Sequence, residues 1–171
     1  MKHFIVIDMQ NDFCTGTLAN KDAVAIIPNI KKALQKAKAE GDGIIFTHDS
    51  HNEDYLETME GIKLPFKHCI EGTEGWEIVP ELAKEATDKT LYVDKKHFGY
   101  EGWAGIICPG DEVTICGTVT SICVVSNALA IKMIDSVEVN VLANCCADLT
   151  AENHKAALAV MKACQCNIIE E

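Results

Sequence analysis

Short runs of apolar residues recur along the chain, and amphipathic or polar stretches separate them. A short apolar run without the alternation of a half-exposed strand is typical of a strand that helices cover on both faces. On this basis we predict six strands, at residues 3–7, 43–47, 91–93, 112–116, 137–142 and 167–169.

Helical periodicity fills most of the intervals between the predicted strands. The clearest helix spans residues 23–40, and Gly41 follows it as a C-terminal cap. Further helices are expected at residues 76–86, with a break near Pro80, at 102–107, from Ser121 onward and at 151–163. Strands that alternate with helices, without hairpin signals, predict an α/β fold. We expect a three-layer α/β/α, Rossmann-like domain of residues 1–171 with a mostly parallel six-stranded sheet.

Composition and charge narrow the class of ligand. The 171 residues carry a formal net charge of −11, and nucleic acids and anionic membrane surfaces repel such a chain, so we expect neither as a partner. No apolar run approaches the roughly 20 residues that span a bilayer, and no basic-plus-apolar leader precedes the first predicted strand. The expectation is a cytoplasmic protein that acts on a small molecule.

The chain contains nine cysteines, an odd number that fits a reducing compartment in which most are core residues. Cys123 stands apart because it follows an apolar strand and a Gly/Thr/Ser turn, in the first turn of the next predicted helix. Unpaired backbone N–H groups and the helix dipole at such a position favour a thiolate and can hold an oxyanion. The alternative is that Cys123 is one more small, buried apolar side chain.

Several chemically reactive side chains share one topological position. Asp8, Asp49, His51, Lys95 and Cys123 each lie just past the end of a predicted strand. Ligands of open parallel sheets bind at the carboxyl ends of the strands, near the point where the strand order reverses. Each residue alone has a structural interpretation, such as a turn cap or a solvated charge, but together they predict a site at one edge of the sheet.

Three motifs carry a resemblance to a known family. They are the run Ile-Val-Ile-Asp8-Met-Gln-Asn-Asp-Phe13, the strand-end Lys95, and Gly117-x-x-Thr120-x-x-Cys123-Val124. In this order and spacing, and over essentially its whole length, the chain resembles the isochorismatase-like cysteine hydrolases. That family includes nicotinamidases and related amidases.

The resemblance implies a catalytic role for three residues. Cys123 would be the nucleophile, Asp8 the base that takes its proton, and Lys95 the cation that lowers the pKa of the thiol and orients Asp8. Lys95 is preferred to Lys96 because the residues after it, x-x-Phe-Gly, fit the family spacing. Family members also carry a cis peptide shortly before the nucleophile, here Thr118–Val119. By that analogy the amides of Val119 and Cys123 form an oxyanion hole.

The nicotinamidase branch uses a divalent metal, and the resemblance implies ligands for it here. Asp49 and His51, together with His68 in a His-Cys-x-x-Gly-Thr segment, match the ligand set of that branch. Such a set suits zinc, with iron or manganese as alternatives. The fourth ligand is left open among Glu53, Asp54 and Glu57.

One departure from the family concerns the substrate pocket. Nicotinamidases typically have Trp-Pro ahead of the metal histidine as an aromatic wall, whereas this chain has Leu64-Pro65-Phe66-Lys67. Another aromatic side chain must then line the pocket. The candidates are Phe13, Phe66, Phe98 and Trp103, with Tyr100 as a further one.

The resemblance therefore implies a nicotinamidase-like amidohydrolase that cleaves a small carboxamide through a thioester on Cys123 and releases ammonia. Two alternatives stay open. One is the same chemistry on a ureide or N-carbamoyl substrate. The other is a non-catalytic module that binds small molecules or senses redox state through reversible oxidation of Cys123. The family resemblance also implies a homo-oligomer.

Overall fold

Six strands form one parallel sheet in the computed structural model of the protein, which describes residues 1–170. In chain order they are β1 (Lys2–Ile7), β2 (Gly43–Asp49), β3 (Leu91–Lys95), β4 (Glu112–Thr118), β5 (Glu138–Ala147) and β6 (Asn167–Ile169). Their spatial order is β3-β2-β1-β4-β5-β6, and every neighbouring pair is parallel. The predicted α/β fold with a six-stranded sheet is confirmed.

Helices and single turns connect the strands. The α-helices are α1 (Asn11–Cys14), α2 (Lys21–Glu40), α3 (Met59–Lys63), α4 (Pro80–Ala83), α5 (Val125–Lys132) and α6 (Ala151–Ala163). Two 3₁₀ turns lie at Tyr55–Glu57 and Trp103–Gly105, and a π-helical turn at Thr120–Val124 leads into α5. The long α2 ends where predicted, because Gly41 takes the left-handed conformation (φ 84°) that closes a helix.

The centre of the sheet is the core of the protein. Ile5, Val6 and Ile7 of β1 are fully buried. The long helix α2 packs against β1, β2, β4 and β5, while α5 and α6 pack against each other and against β5 and β6, respectively. This helical cover explains why the strands are continuous apolar runs. No helix of the described residues is long and apolar enough to cross a membrane.

Four predicted elements differ from the structure. The helix expected at residues 102–107 is only the 3₁₀ turn at Trp103–Gly105. The helix expected at residues 76–86 is shorter than predicted: it begins at Pro80, a residue favoured in the first turn of a helix, and ends at Ala83, so that residues 76–79 and 84–86 are not helical. The fifth strand is longer than predicted. β5 continues to Ala147 instead of ending at 142, because a shift in register after Ile115 of β4 lets it resume its pairing with β4. The helix expected from Ser121 begins with the π-helical turn and is α-helical only from Val125.

The strand order reverses between β1 and β4. From β1 the chain proceeds outward to β2 and β3, then returns to the other side of β1 with β4. The carboxyl ends of β1 and β4 therefore flank the crevice in which sheets of this kind bind ligands.

Candidate active site

Asp8 follows the last residue of β1, and its backbone has a positive φ of 48°. A non-glycine residue rarely adopts this conformation, and the surrounding structure must hold it there. Thr47 of β2 contributes to this: its hydroxyl accepts a hydrogen bond from the Asp8 amide (3.1 Å) and donates one to Asp8 Oδ1 (2.5 Å). The other carboxylate oxygen, Oδ2, is buried and makes no well-aligned hydrogen bond within the described residues.

Gly117 lets the two central strands approach beneath this site. Its φ is +124°, and a Cβ at this position would lie 2.1 Å from the carbonyl oxygen of Ile7. Only glycine fits both the conformation and the space. The glycine of the cysteine motif is thus required by the contact between β4 and β1.

Lys95, the last residue of β3, joins the groups at the strand ends. Its side chain is fully buried, and its Nζ lies 2.7 Å from Asp8 Oδ2, 3.2 Å from Asp49 Oδ1 and 3.6 Å from Cys123 Sγ. The carbonyl oxygen of His97 accepts a further hydrogen bond from Nζ (3.3 Å). The structure therefore brings together the three side chains to which the resemblance assigns catalysis. Lys96, the neighbouring lysine, is exposed and pairs with a surface glutamate.

Cys123 lies in the π-helical turn that follows β4. The peptide between Thr118 and Val119 is cis, as the resemblance implies. The amides of Ile122 and Val124, on either side of Cys123, donate to the carbonyl oxygen of Val119 (3.0 and 3.1 Å).

Two side chains from the end of β5 and from α6 hold this turn. Asp148 Oδ2 accepts a hydrogen bond from the amide of Ser121 (2.6 Å), and the hydroxyl of Thr120 lies 2.9 Å from Nδ1 of His154. Asp148 directly follows β5, and its carboxylate accepts hydrogen bonds from backbone amides, that of Ser121 in the turn and that of the adjacent Leu149. The turn is thus fixed at its first two residues.

Burial governs the charges of the cluster. Desolvation raises the pKa of Cys123 well above that of a free thiol, and the Lys95 ammonium opposes this only in part. Desolvation also raises the pKa of Asp8, again against the effect of Lys95. The pKa of Lys95 is raised despite its burial, chiefly by Asp8. The surroundings of Cys123 therefore disfavour the thiolate that a helix N-terminus would predict.

A second cluster lies beside the first and shares Asp49 with it. Asp49, His51, Glu60 and His68 each offer one ligand atom, and all four atoms lie within 4.8 Å of one another. Nε2 of His51 and Nε2 of His68 are 3.0 and 3.5 Å from Asp49 Oδ2, and 3.7 and 3.9 Å from Glu60 Oε1. Two imidazoles and two carboxylates fit zinc or a related divalent ion.

Hydrogen bonds behind the second cluster orient its members. Nδ1 of His68 lies 2.8 Å from the carbonyl oxygen of Phe66, which leaves Nε2 as the ligand atom. Gln10 is fully buried and holds the backbone of Asp49 from both sides, accepting from its amide (2.8 Å) and donating to its carbonyl oxygen (2.9 Å). Asp12 Oδ2 accepts from the amide of the residue after His68 (2.7 Å).

The two carboxylates of this cluster differ in their acidity. Burial opposes ionisation of Asp49, yet the Lys95 ammonium and hydrogen bonds from His51 and His68 lower its pKa. Desolvation raises the pKa of Glu60, and the charge of Asp49 adds to this effect. The cluster thus contains one firmly ionised carboxylate and one that a bound cation would help to ionise.

The sequence interpretation missed Glu60. The residues considered for a fourth ligand, Glu53, Asp54 and Glu57, are all exposed. Glu60 instead lies in the first turn of α3, which Thr58 caps by accepting a hydrogen bond from the amide of Gly61 (3.0 Å). A capping residue followed by an acidic residue predicts a helix start. Nothing in that pattern indicates a ligand.

A cavity of about 460 Å³ lies above both clusters. Its wall is mostly apolar, with Phe13, Leu18, Leu64, Phe98, Ile122 and Leu149, and its polar side includes Asp49, Glu60, His68 and Cys123. No lysine or arginine is among the described residues that line it. Val119, one of the two predicted oxyanion-hole residues, also lines the cavity.

Two of the four aromatic residues predicted for the pocket do not line this cavity. Phe66 is 55% exposed, because the chain presents its carbonyl oxygen rather than its ring to His68. Trp103 is buried and does not line the cavity, and its indole donates to Asn127 Oδ1 (2.9 Å). Phe13 and Phe98 do line the cavity.

Comparison with known proteins agrees with this geometry. The family model described as "Isochorismatase domain" matches residues 2–171. Among characterised proteins, the nicotinamidase/pyrazinamidase of Mycobacterium tuberculosis is 27% identical, over 99% of this chain and 98% of that protein.

Solved structures agree in fold. The pyrazinamidase/nicotinamidase of Streptococcus mutans superposes with a TM-score of 0.85 at 30% identity, over 99% of this chain and 100% of that one. The pyrazinamidase of Pyrococcus horikoshii, solved in complex with zinc, superposes with a TM-score of 0.84 at 28% identity, over 99% of each chain.

Proposed function

The chain belongs to the isochorismatase family and is a hydrolase of its nicotinamidase-related branch, and from this premise we propose that it is a cysteine-dependent amidohydrolase. The observation that carries the proposal is the position of the Lys95 ammonium, 2.7 Å from Asp8 Oδ2 and 3.6 Å from Cys123 Sγ at the wall of the cavity. A base, a cation and a nucleophile in contact beside an apolar cavity suit attack on a carbonyl carbon.

The first half of the reaction forms a thioester. Because burial raises the pKa of Cys123, Asp8 takes the proton of the thiol as the sulfur attacks the carbonyl carbon of the amide. The amides of Val119 and Cys123 would hold the oxyanion. When the C–N bond breaks, Asp8 returns the proton to the departing nitrogen, which leaves as ammonia.

The second half restores the enzyme. Asp8 takes a proton from water as the water oxygen attacks the thioester carbon. The C–S bond then breaks, Cys123 leaves with the proton from Asp8, and the product is the carboxylic acid. Lys95 keeps Asp8 oriented in both halves and stabilises each anion as it forms.

Asp49, His51, Glu60 and His68 would hold a divalent metal beside this reaction, and we propose zinc. Such an ion, when bound, is a Lewis acid that polarises a donor atom of a ligand in the cavity. The protein's own contribution is to fix the donor atoms: Gln10 holds the backbone of Asp49, and the hydrogen bond between His68 and the Phe66 carbonyl fixes the imidazole.

The lining of the cavity favours an uncharged substrate. Two carboxylates and apolar side chains face it, and none of its described lining residues is a lysine or arginine that could pair with a substrate carboxylate. A small neutral carboxamide of the nicotinamide type therefore fits better than an N-carbamoyl amino acid.

Ammonia release from a panel of compounds tests the proposal. The panel contains nicotinamide, pyrazinamide, a small aliphatic amide and an N-carbamoyl amino acid, each with the wild-type protein and with Cys123→Ala. We expect turnover of the neutral amides by the wild type and a loss of about 10³-fold or more in kcat with Cys123→Ala. Zinc content, measured by mass spectrometry, should be the same in both proteins.

Two results would contradict the proposal. Activity of Cys123→Ala close to that of the wild type would exclude the thioester route. Turnover of the N-carbamoyl compound alone would transfer the protein to the alternative substrate class. A covalent acyl adduct on Cys123, trapped by acid quench and detected by mass, would support the thioester directly.

A further inference from the structure

Asn127 is a fully buried residue of α5 that none of the steps above uses. Its Nδ2 donates to the carbonyl oxygens of Cys123 (2.8 Å) and Phe98 (2.9 Å), and its Oδ1 accepts from the amide of Tyr100 and the indole of Trp103 (both 2.9 Å). An asparagine side chain offers two donor hydrogens and two acceptor lone pairs, and here all are used. The partners also fix the orientation of the side-chain amide. In the flipped orientation Oδ1 would face the two carbonyl oxygens, and Nδ2 would face the two N–H donors.

The two segments that Asn127 joins both belong to the site. On one side is the π-helical turn with Cys123. On the other side is the segment after β3, in which His97 supplies the carbonyl oxygen that accepts from Lys95 Nζ (3.3 Å) and Phe98 lines the cavity. The side-chain amide of Asn127 therefore connects the backbone of Cys123 to the segment whose carbonyl oxygen accepts a hydrogen bond from Lys95.

We propose that Asn127 is a positioning residue, which sets the distance between the Cys123 sulfur and the Lys95 ammonium and holds Phe98 in the cavity wall. Its effect on turnover rests on the proposed function. Its effect on the reactivity of the Cys123 thiol does not, so the two proposals can fail separately.

A pair of substitutions separates the two links. Ser126 shows that a serine in α5 can donate to the carbonyl oxygen four residues earlier, because its hydroxyl donates to the carbonyl oxygen of Ile122 (2.6 Å). Asn127→Ser can therefore keep a donor for the carbonyl of Cys123, whereas Asn127→Ala cannot. Both variants lose the bond to the Phe98 carbonyl, and neither adds a charge.

The expected result is a split between kcat and KM. Asn127→Ala should lower kcat by about 10- to 100-fold, because a displacement of the nucleophile by about 1 Å has an effect of that order. Asn127→Ser should recover most of that loss. KM should rise by a similar, several-fold factor in both, because both release Phe98.

Alkylation by iodoacetamide gives a readout that needs no turnover. Peptide mass spectrometry follows the modification of Cys123, and Cys108 and Cys164, which are exposed, serve as internal references for the reagent. Relative to those references, Cys123 should react fastest in the wild type, more slowly in Asn127→Ser and slowest in Asn127→Ala, because a sulfur displaced from Lys95 loses its stabilisation as a thiolate.

Asn140 provides a matched control. It is also a buried asparagine, bonded through Nδ2 to Glu112 (3.1 Å) and through Oδ1 to Asn167 (3.0 Å), at the opposite end of the sheet from the site. Asn140→Ala should lower the melting temperature without changing the ratio of Cys123 to Cys164 alkylation. Equal rates in Asn127→Ser and Asn127→Ala, wild-type rates in both, or the same loss in Asn140→Ala would each overturn the proposal.

Discussion

The two clusters at the carboxyl edge of the sheet are built in different ways. The first, which we call the nucleophile cluster after the proposed role of Cys123, consists of Asp8, Lys95 and Cys123 and comes from the ends of two strands and from the turn after a third. The second, which we call the metal cluster after its proposed ion, consists of Asp49, His51, Glu60 and His68. Two of its members lie at or near the end of β2, and two lie in the stretch between β2 and β3. The register of the sheet determines the positions of the residues in the nucleophile cluster. Contacts within the loop determine the positions of half of the metal cluster.

This difference has a physical consequence. The parallel ladder between β2 and β3 includes Lys95, and the ladder between β1 and β4 reaches Ile7, the residue before Asp8, so these positions move only if the sheet moves. Glu60 is held by single contacts of its own loop, such as the bond from the hydroxyl of Tyr55 to the carbonyl oxygen of Leu64 (2.9 Å). We therefore expect that substitutions in the nucleophile cluster destabilise the whole fold. Substitutions in the metal cluster should weaken metal binding without destabilising the fold.

Substitution of Lys95 is the strongest test of the first part of that expectation. Lys95→Met leaves Asp8 and Asp49 buried without their cation. Removing one partner of a buried ion pair costs about 3–5 kcal/mol, so we expect a loss of that order in the free energy of unfolding, together with loss of turnover. Urea unfolding and the ammonia assay measure the two effects.

Lys96→Met is the control for that variant. Lys96 is one residue away, and its only role in the described structure is an exposed pair with Glu71 at 3.3 Å. Exposed pairs contribute about 0–1 kcal/mol. If Lys96→Met were as damaging as Lys95→Met, the assignment of the buried cation to Lys95 would be wrong.

Substitution of Glu60 tests the independence of the second cluster. Glu60→Gln replaces one of the two carboxylate ligands by a neutral amide and should weaken zinc binding by about 10- to 100-fold, a range found even for residues that only orient metal ligands. The stability of this variant without metal should stay close to that of the wild type, because the Glu60 side chain is only partly buried. Competition with a chromophoric chelator measures the zinc affinity.

Glu57→Gln is the matched control, since Glu57 is exposed in the turn just before α3. It should bind zinc as the wild type does. Weakened zinc binding in Glu57→Gln with normal binding in Glu60→Gln would return the fourth ligand to the group considered from the sequence.

The sequence predicted the parts of the site that the sheet holds. Apolar runs located five strands to within two residues at each end, and the residues just after them include Asp8 and Cys123, because strand ends are where a pattern of burial stops. The family resemblance then selected Lys95 over its neighbour, and the two occupy opposite environments, one buried and one exposed.

The sequence was less informative where long-range contacts decide. β5 runs past its predicted end because the ladder with β4 resumes after a shift in register, and no local pattern encodes that pairing. Glu60 faces His51 and His68 only because the loop folds back over the end of β2. Trp103 was predicted for the pocket from its chemistry, yet its indole is committed to Asn127.

Gly61 offers a milder way to disturb the metal cluster alone. A Cβ at Gly61 would lie 2.0 Å from the carbonyl oxygen of Tyr55, so Gly61→Ala must shift the first turn of α3 and Glu60 with it. We expect a stability loss of about 1–3 kcal/mol and zinc binding weaker by about tenfold. Gly105→Ala, where no atom lies within 4 Å of the new Cβ, should change neither. Reduced alkylation of Cys123 in Gly61→Ala would show that the clusters are coupled.

The smallest expected effect concerns the cavity wall that both clusters share. Phe98 lines the cavity and Phe66 does not, although both are about half exposed and both were predicted for the pocket. Phe98→Leu removes apolar surface that a bound ring would cover, and a loss of about 1 kcal/mol corresponds to a several-fold rise in KM. Phe66→Leu keeps the carbonyl oxygen that holds His68 and should leave KM unchanged. A rise in KM for Phe66→Leu alone would mean that substrate binds against the α3 loop, and the metal cluster rather than the nucleophile cluster would then define the entrance to the site.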